Sequence, residues 1–308
     1  MAVFPAGRYR LPLIPAVAVL AALGGRQLWR WWRERHGRAL GWASLGLVGA
    51  GLLSSLPGPF CEERGAFAAE LHLGAGIYHE RHGRLDRAQR QYERALRIDP
   101  SLFEAHVNLG LLLLRRGEPD RALAHHRRAL ALRSDTAAPW VGAALVYLDR
   151  RDLPRAIDAM RHAVRLAPHT ARHHFLLGQL LMRSRQFRPA LESFLAAARL
   201  RPQDPKMLNA VAWLRAGREL PDLARPKEAI TLARCAYALS WRRSPSYLDT
   251  LAVAHLSAGN RSRAIALFER AQAQATRQGK SALARDIHRR LQQARGAPLP
   301  RQHQDKAQ

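Results

Sequence analysis

Gly76, Gly110, Ala144 and Gly178 stand 34 residues apart, and twelve residues after each comes an alanine: Ala88, Ala122, Ala156 and Ala190. Seven residues further on stand Ala95, Ala129, Ala163 and Ala197, and Pro100, Pro168 and Pro202 close three of the four units, with Ser134 in the odd one. A repeat of this length is one helical hairpin, too small to bury its own apolar face, so copies must stack into a solenoid in which each touches only its neighbours. The same constraint bears on function: stacked hairpins present a surface for binding and bring no chemistry of their own.

The spacing has a mechanical cause. Antiparallel helices approach closely only where small residues lie at the crossing, which places the first Gly or Ala and the first alanine within one hairpin. The second alanine admits the next hairpin, and the proline stops the helix because it cannot continue the backbone ladder. Gly83 and Gly117 punctuate the turn inside the hairpin, and Arg151 and Arg185 do so less well. Ala229 and Ala236 keep the seven-residue step, but Ala229 lies 39 residues after Ala190, so five residues enter the turn around Gly217 to Pro226. A further unit follows with Gly259, Ala264, Phe268 and Ala271, and Ser281 to Arg295 reads as an amphipathic cap with Leu283, Ile287 and Leu291 on one face.

At these positions residues 69–278 resemble the tetratricopeptide repeat family, whose unit carries small residues at positions 8, 20 and 27 and a proline at position 32. The resemblance implies an all-α, right-handed α-solenoid of about six hairpins. It also implies that the first helix of each unit lines a concave peptide groove. Carried onto this chain, the groove positions include Ile77, Arg81, Val107, Leu111, Arg115, Leu145, Leu148, Phe175, Gln179 and Arg183. Asn108 matches one asparagine of the carboxylate clamp found in chaperone-binding members, but Glu70 and Gly74 stand where the clamp's first pair belongs, so that mode is not expected. The implied partner is a protein or peptide with apolar anchors and acidic flanks.

The first 65 residues differ in kind. Ala39 to Phe60 holds no charged residue over 22 positions, enough for a helix to cross a bilayer core of about 30 Å. Leu11 to Gly25 is also uncharged but shorter, with Pro12 and Pro15 near its start; a first span, a re-entrant segment and a secretory signal core compete, and a first span is favoured. Arg26, Arg30, Arg33, Arg35 and Arg38 lie between the two segments with Trp29, Trp31 and Trp32, so this loop is expected in the cytoplasm and the repeats outside it. Arg8-Tyr9-Arg10-Leu11-Pro12-Leu13-Ile14-Pro15 resembles the entry into a late membrane helix of polytopic glycosyltransferases that use lipid-linked sugars. That resemblance covers residues 8 to about 57 and implies a role near envelope glycosylation. No residue here matches the catalytic acid of those enzymes, so the chain reads as a scaffold, with a detached C-terminal part of such a transferase as the alternative.

The chain carries 50 basic and 24 acidic residues, a net charge of +26; 42 and 21 of these fall in residues 66–308. Only four of the basic residues are lysine, a bias that a GC-rich genome produces on any surface, and no base-stacking aromatics interleave with the arginines of the repeats; nucleic acid is therefore not the favoured partner. Fourteen histidines raise the question of metal, yet His79-Glu80-Arg81-His82 misses the zinc-helix spacing, and His72, His106, His126 and His174 sit at repeat packing positions. Cys61 and Cys235 fit no redox or zinc motif and are expected unpaired. No nucleophile elbow or phosphate loop is present, so neither enzyme activity nor a cofactor is expected. The expected division is a membrane anchor over residues 1–65 with spans near 11–29 and 39–60, a solenoid with its cap over 66–295, and a disordered tail over 296–308. The expected location is the cell (inner) membrane, with the repeats periplasmic.

Overall fold

The computed structural model describes residues 61–217 and 221–296. The chain divides into two compact units, residues 1–68 and 69–308. Of the first, only the opening of one helix is described, with Phe67 exposed. Among the described residues there are thirteen α-helices, one short 3-10 helix and no strand. They are α1 (Cys61–Arg81), α2 (Leu85–Ile98), α3 (Phe103–Arg115), α4 (Pro119–Leu132), α5 (Ala137–Asp149), α6 (Leu153–Leu166), α7 (Ala171–Arg183), α8 (Phe187–Leu200), α9 (Pro205–Arg215), α10 (Pro226–Leu239), α11 (Pro245–Ser257), α12 (Arg261–Arg277) and α13 (Ser281–Gly296). From α3 onward consecutive helices pack as antiparallel hairpins, each resting on the next, in the all-helical solenoid that the 34-residue period implies.

The repeated alanines are the contact points. Ala88, Ala122, Ala156, Ala190 and Ala229 are fully buried, as are Ala95, Ala129, Ala163, Ala197 and Ala236. The glycines of the first column have a more specific reason than small-against-small packing. A Cβ on Gly76 would stand 2.5 Å from the ring of Tyr92, on Gly110 2.7 Å from His126, and on Gly178 2.6 Å from Phe194. The four positions are sixteen residues downstream of the first column, and only in the third hairpin, where flexible Met160 replaces the ring, does alanine (Ala144) take the glycine's place.

Turns follow the same register. Gly83 and Gly117 take φ +71° and +77°, and at the equivalent places Arg151 and Arg185 take 60° and 59°, a left-handed backbone without the glycine that suits it. The five-residue insertion folds back on its own hairpin. Pro221–Leu223 makes a 3-10 turn, Leu223 is buried, Arg225 N–H donates to the Arg215 carbonyl at 2.8 Å, and a Cβ on Gly217 would collide with Ala224 at 2.3 Å.

At the far end α13 buries Ile287, Leu291 and Ala294 against the last hairpin. Arg261 Nε donates to the Ala294 carbonyl at 2.7 Å and its guanidinium also reaches the Arg295 carbonyl, which satisfies helix-end acceptors that have no partner within the helix. Arg290 pairs with the buried Asp249 on α11. No described helix is long and apolar enough to cross a membrane. The spans expected near 11–29 and 39–60, and the tail from residue 297, lie outside the described residues.

Candidate peptide groove

The first helices of the hairpins, α1, α3, α5 and α7, bring several of the expected groove residues into two depressions. Ile77, Glu80, Arg81, Tyr92, Asn108 and Arg115 line the first, between α1 and α3. The Tyr92 ring is buried under Gly76, and its hydroxyl donates to Glu80 Oε2 at 2.8 Å, while Arg115 Nη1 donates to Glu80 Oε1 at 2.8 Å. Both carboxylate oxygens of Glu80 are thereby held, and burial together with that carboxylate pushes the Tyr92 phenol up, so it stays a donor at any physiological pH. Arg81 is exposed and makes no ion pair with a described residue, so it is the cation of this depression that remains available.

Leu145, Leu148, Leu176, Gln179, Leu180 and Arg183 line the second depression, between α5 and α7, over a floor of Ala144 and Met160. It is apolar apart from the exposed Gln179 and Arg183 at its rim. The arrangement suits an aliphatic anchor with an acidic neighbour.

Not every expected residue is available. Val107 is 7% exposed and packs with Phe103 and Ala129; Leu111 is half-buried against the same cluster. Phe175 is half-buried with its ring 5.5 Å from that of Phe194. These side chains hold hairpins together more than they face a partner. Tyr92, Leu176 and Leu180 complete the two depressions although they are not groove positions of the repeat; the signal for Tyr92 is its place sixteen residues after Gly76, opposite a glycine.

His106, His125, His126 and His174 serve packing. His106 and His174 reach back to the preceding unit's proline carbonyl, with Nε2 at 3.0 Å from Pro100 O and 2.8 Å from Pro168 O. His106 Nδ1 and His125 Nδ1 lie 2.9 Å apart. His126 is fully buried with no hydrogen-bond partner at either ring nitrogen. Burial first, then the neighbouring His125, lowers the His126 pKa to about 4. Burial, then His106 and Arg121, lowers that of His125 to about 4. Among the described residues no three His, Cys, Asp or Glu side chains gather in a way that would hold a metal ion, and Cys235 is exposed and free.

Residues 73–139 and 141–205 match the family model described as tetratricopeptide repeat. No curated protein matches the chain. Similar solved structures include pilF of Pseudomonas aeruginosa, 21% identical with a TM-score of 0.58, covering 72% of this chain and 97% of that one. YrrB, described as a TPR protein with an unusual peptide-binding site, is 21% identical with a TM-score of 0.54, covering 64% and 97%. A tetratricopeptide repeat protein from Parabacteroides merdae is 15% identical with a TM-score of 0.53, covering 75% and 94%.

Proposed function

Taking this array as a tetratricopeptide-repeat solenoid, we propose that the chain is a scaffold whose concave face holds an extended or helical protein segment with aliphatic anchors and acidic flanks. The observation that carries this is the pairing, between α5 and α7, of an apolar depression over Met160 with an exposed arginine at its rim. A second depression, two hairpins away, has Ile77 and Asn108 beside the unpaired Arg81. Asn108 offers both a donor and an acceptor to a peptide backbone, and Arg81 and Arg183 supply charge that attracts acidic flanks.

The proposal includes a membrane tether over residues 1–65, with the repeats on the non-cytoplasmic side; its support is the uncharged 39–60 stretch and the arginine-rich loop before it. Within that frame a sugar-transferring membrane enzyme is the partner to try first, on the resemblance of residues 8–57. Capture by the full chain from a membrane extract tests the groove. Arg81→Glu combined with Arg183→Glu, both at exposed positions, is expected to weaken capture of the specific partner about tenfold or more, whereas Arg94→Glu on α2 leaves it unchanged. An identical bound set for all three proteins would show that the groove has been misassigned.

A further inference from the structure

The turn joining α10 to α11 displays the most exposed large apolar side chain among the described residues. Trp241 is 86% exposed, and Leu239 just before it is 42% exposed. The display is built rather than loose. Trp241 and Arg242 both hold a left-handed backbone, at φ 55° and 56°, a conformation that L residues avoid unless their surroundings impose it. The turn is held from both sides: the Trp241 N–H donates to the Ala238 carbonyl and the Arg242 N–H to the Tyr237 carbonyl, each at 3.0 Å, while Gln274 Nε2 of α12 donates to the Arg242 carbonyl at 2.8 Å and Gln278 Nε2, just past that helix, to the Arg243 carbonyl at 2.7 Å.

The two glutamine hydrogen bonds also bring the next turn alongside, with Arg277 and Lys280 flanking Gln278. Arg242, Arg243, Arg277 and Lys280 are all exposed, none makes an ion pair with a described residue, and neither turn contains an acidic residue. The result is an exposed indole on a hydrogen-bonded turn, with four exposed cations on its own turn and on the one bonded to it.

We propose that this edge docks on the headgroup layer of an anionic bilayer, with Trp241 seated at the interface and the four cations against lipid phosphates. An indole is amphipathic and settles where hydrocarbon meets headgroups, its N–H in the wet layer. Each nearby Lys or Arg adds about fivefold to binding at an anionic surface. Single-stranded nucleic acid would want successive aromatic platforms, and these turns offer one. The inference does not depend on the N-terminal tether, because the patch lies wholly within the repeats.

The test uses the full chain with vesicles of bromine-labelled phosphatidylcholine, alone or with roughly a third phosphatidylglycerol. Subtracting the fluorescence of Trp241→Phe from that of the wild type isolates the signal of Trp241. That signal is expected to be quenched in the anionic vesicles and not in the neutral ones, and Arg242→Glu with Arg243→Glu should raise the lipid concentration for half-quenching at least tenfold. Equal quenching in both lipids, quenching in neither, or a response to polyuridylate in place of vesicles would each overturn the proposal. The wild-type comparison of the two lipids decides even if the charge-reversed variant misfolds. Flotation with neutral vesicles reports the tether separately, so failure of one does not masquerade as failure of the other.

Discussion

His126 shows most clearly how one residue sets a local cost. It occupies the place that Tyr92 and Phe194 fill in the first and fourth hairpins, and its ring lies where a Cβ on Gly110 or Gly142 would stand. An imidazole there is favoured neutral, because burial disfavours its charged form; the neighbouring His125 adds to this, and the charged groups acting on the adjoining His106 and His125 are Arg121 and Arg128, offset by Glu93 and Asp99. In the unfolded chain these histidines take a proton near pH 6.5, whereas His125 and His126 in the native state do so only at about 4. Stability is therefore complete above about pH 6.5 and falls as the pH drops toward 4, by up to roughly 3 kcal/mol for His126 alone. Asp249, raised to about 6 by burial against the pull of Arg290, acts in the opposite sense over part of the same range. Comparing wild type with His126→Phe by denaturant unfolding isolates the histidine: the variant should lose less stability between pH 6.5 and 4, and equal slopes would refute the assignment. A second residue-scale expectation concerns Arg151. Glycine there relieves a left-handed backbone at φ 60°, and Arg151→Gly should raise stability by up to about 1 kcal/mol, read as a small upward shift of the melting temperature.

At the scale of elements, the helices and their order were legible because the period is carried by steric necessity: each repeated alanine is fully buried between helices, and at Gly76, Gly110 and Gly178 a ring from the partner helix leaves no room for a Cβ. The insertion before α10 was legible as a break in register. Its form was not, because the 3-10 turn and the Gly217–Ala224 contact depend on how the hairpin beneath it is packed. The attachment of α13 was likewise half visible. Its apolar face could be read from Ile287 and Leu291, but Arg261, twenty residues before its start, holds its last carbonyls. Removing that donor with Arg261→Ala should loosen the terminal helix selectively, with amide hydrogen exchange in residues 281–296 rising about tenfold and α5 to α8 unaffected. Uniform exchange changes along the array would contradict that role.

For the molecule as a whole, the proposed tether makes one firm claim: a reporter fused after Arg64 should be active only outside the cytoplasm, and cytoplasmic activity would reverse the topology. The sequence by itself determined the fold, because a 34-residue recurrence of small residues leaves stacked hairpins as the way to bury every apolar face at once. Through the family resemblance it also supplied the helix face proposed here as a groove. Only the tertiary structure decided which side chains of the first helices are exposed and unpaired. Val107 and Phe175 are drawn into packing between hairpins, Arg115 is bound to Glu80, and Arg81 and Arg183 remain unpaired. It alone placed the turns at 240–244 and 277–280 side by side, with two glutamines from the second bonded to the carbonyls of Arg242 and Arg243 and Trp241 exposed beside them. The physical reason is the same in each case. A periodic pattern specifies contacts every repeat must make, whereas the fate of one charge or one exposed ring depends on partners distant in the chain, which the period does not encode.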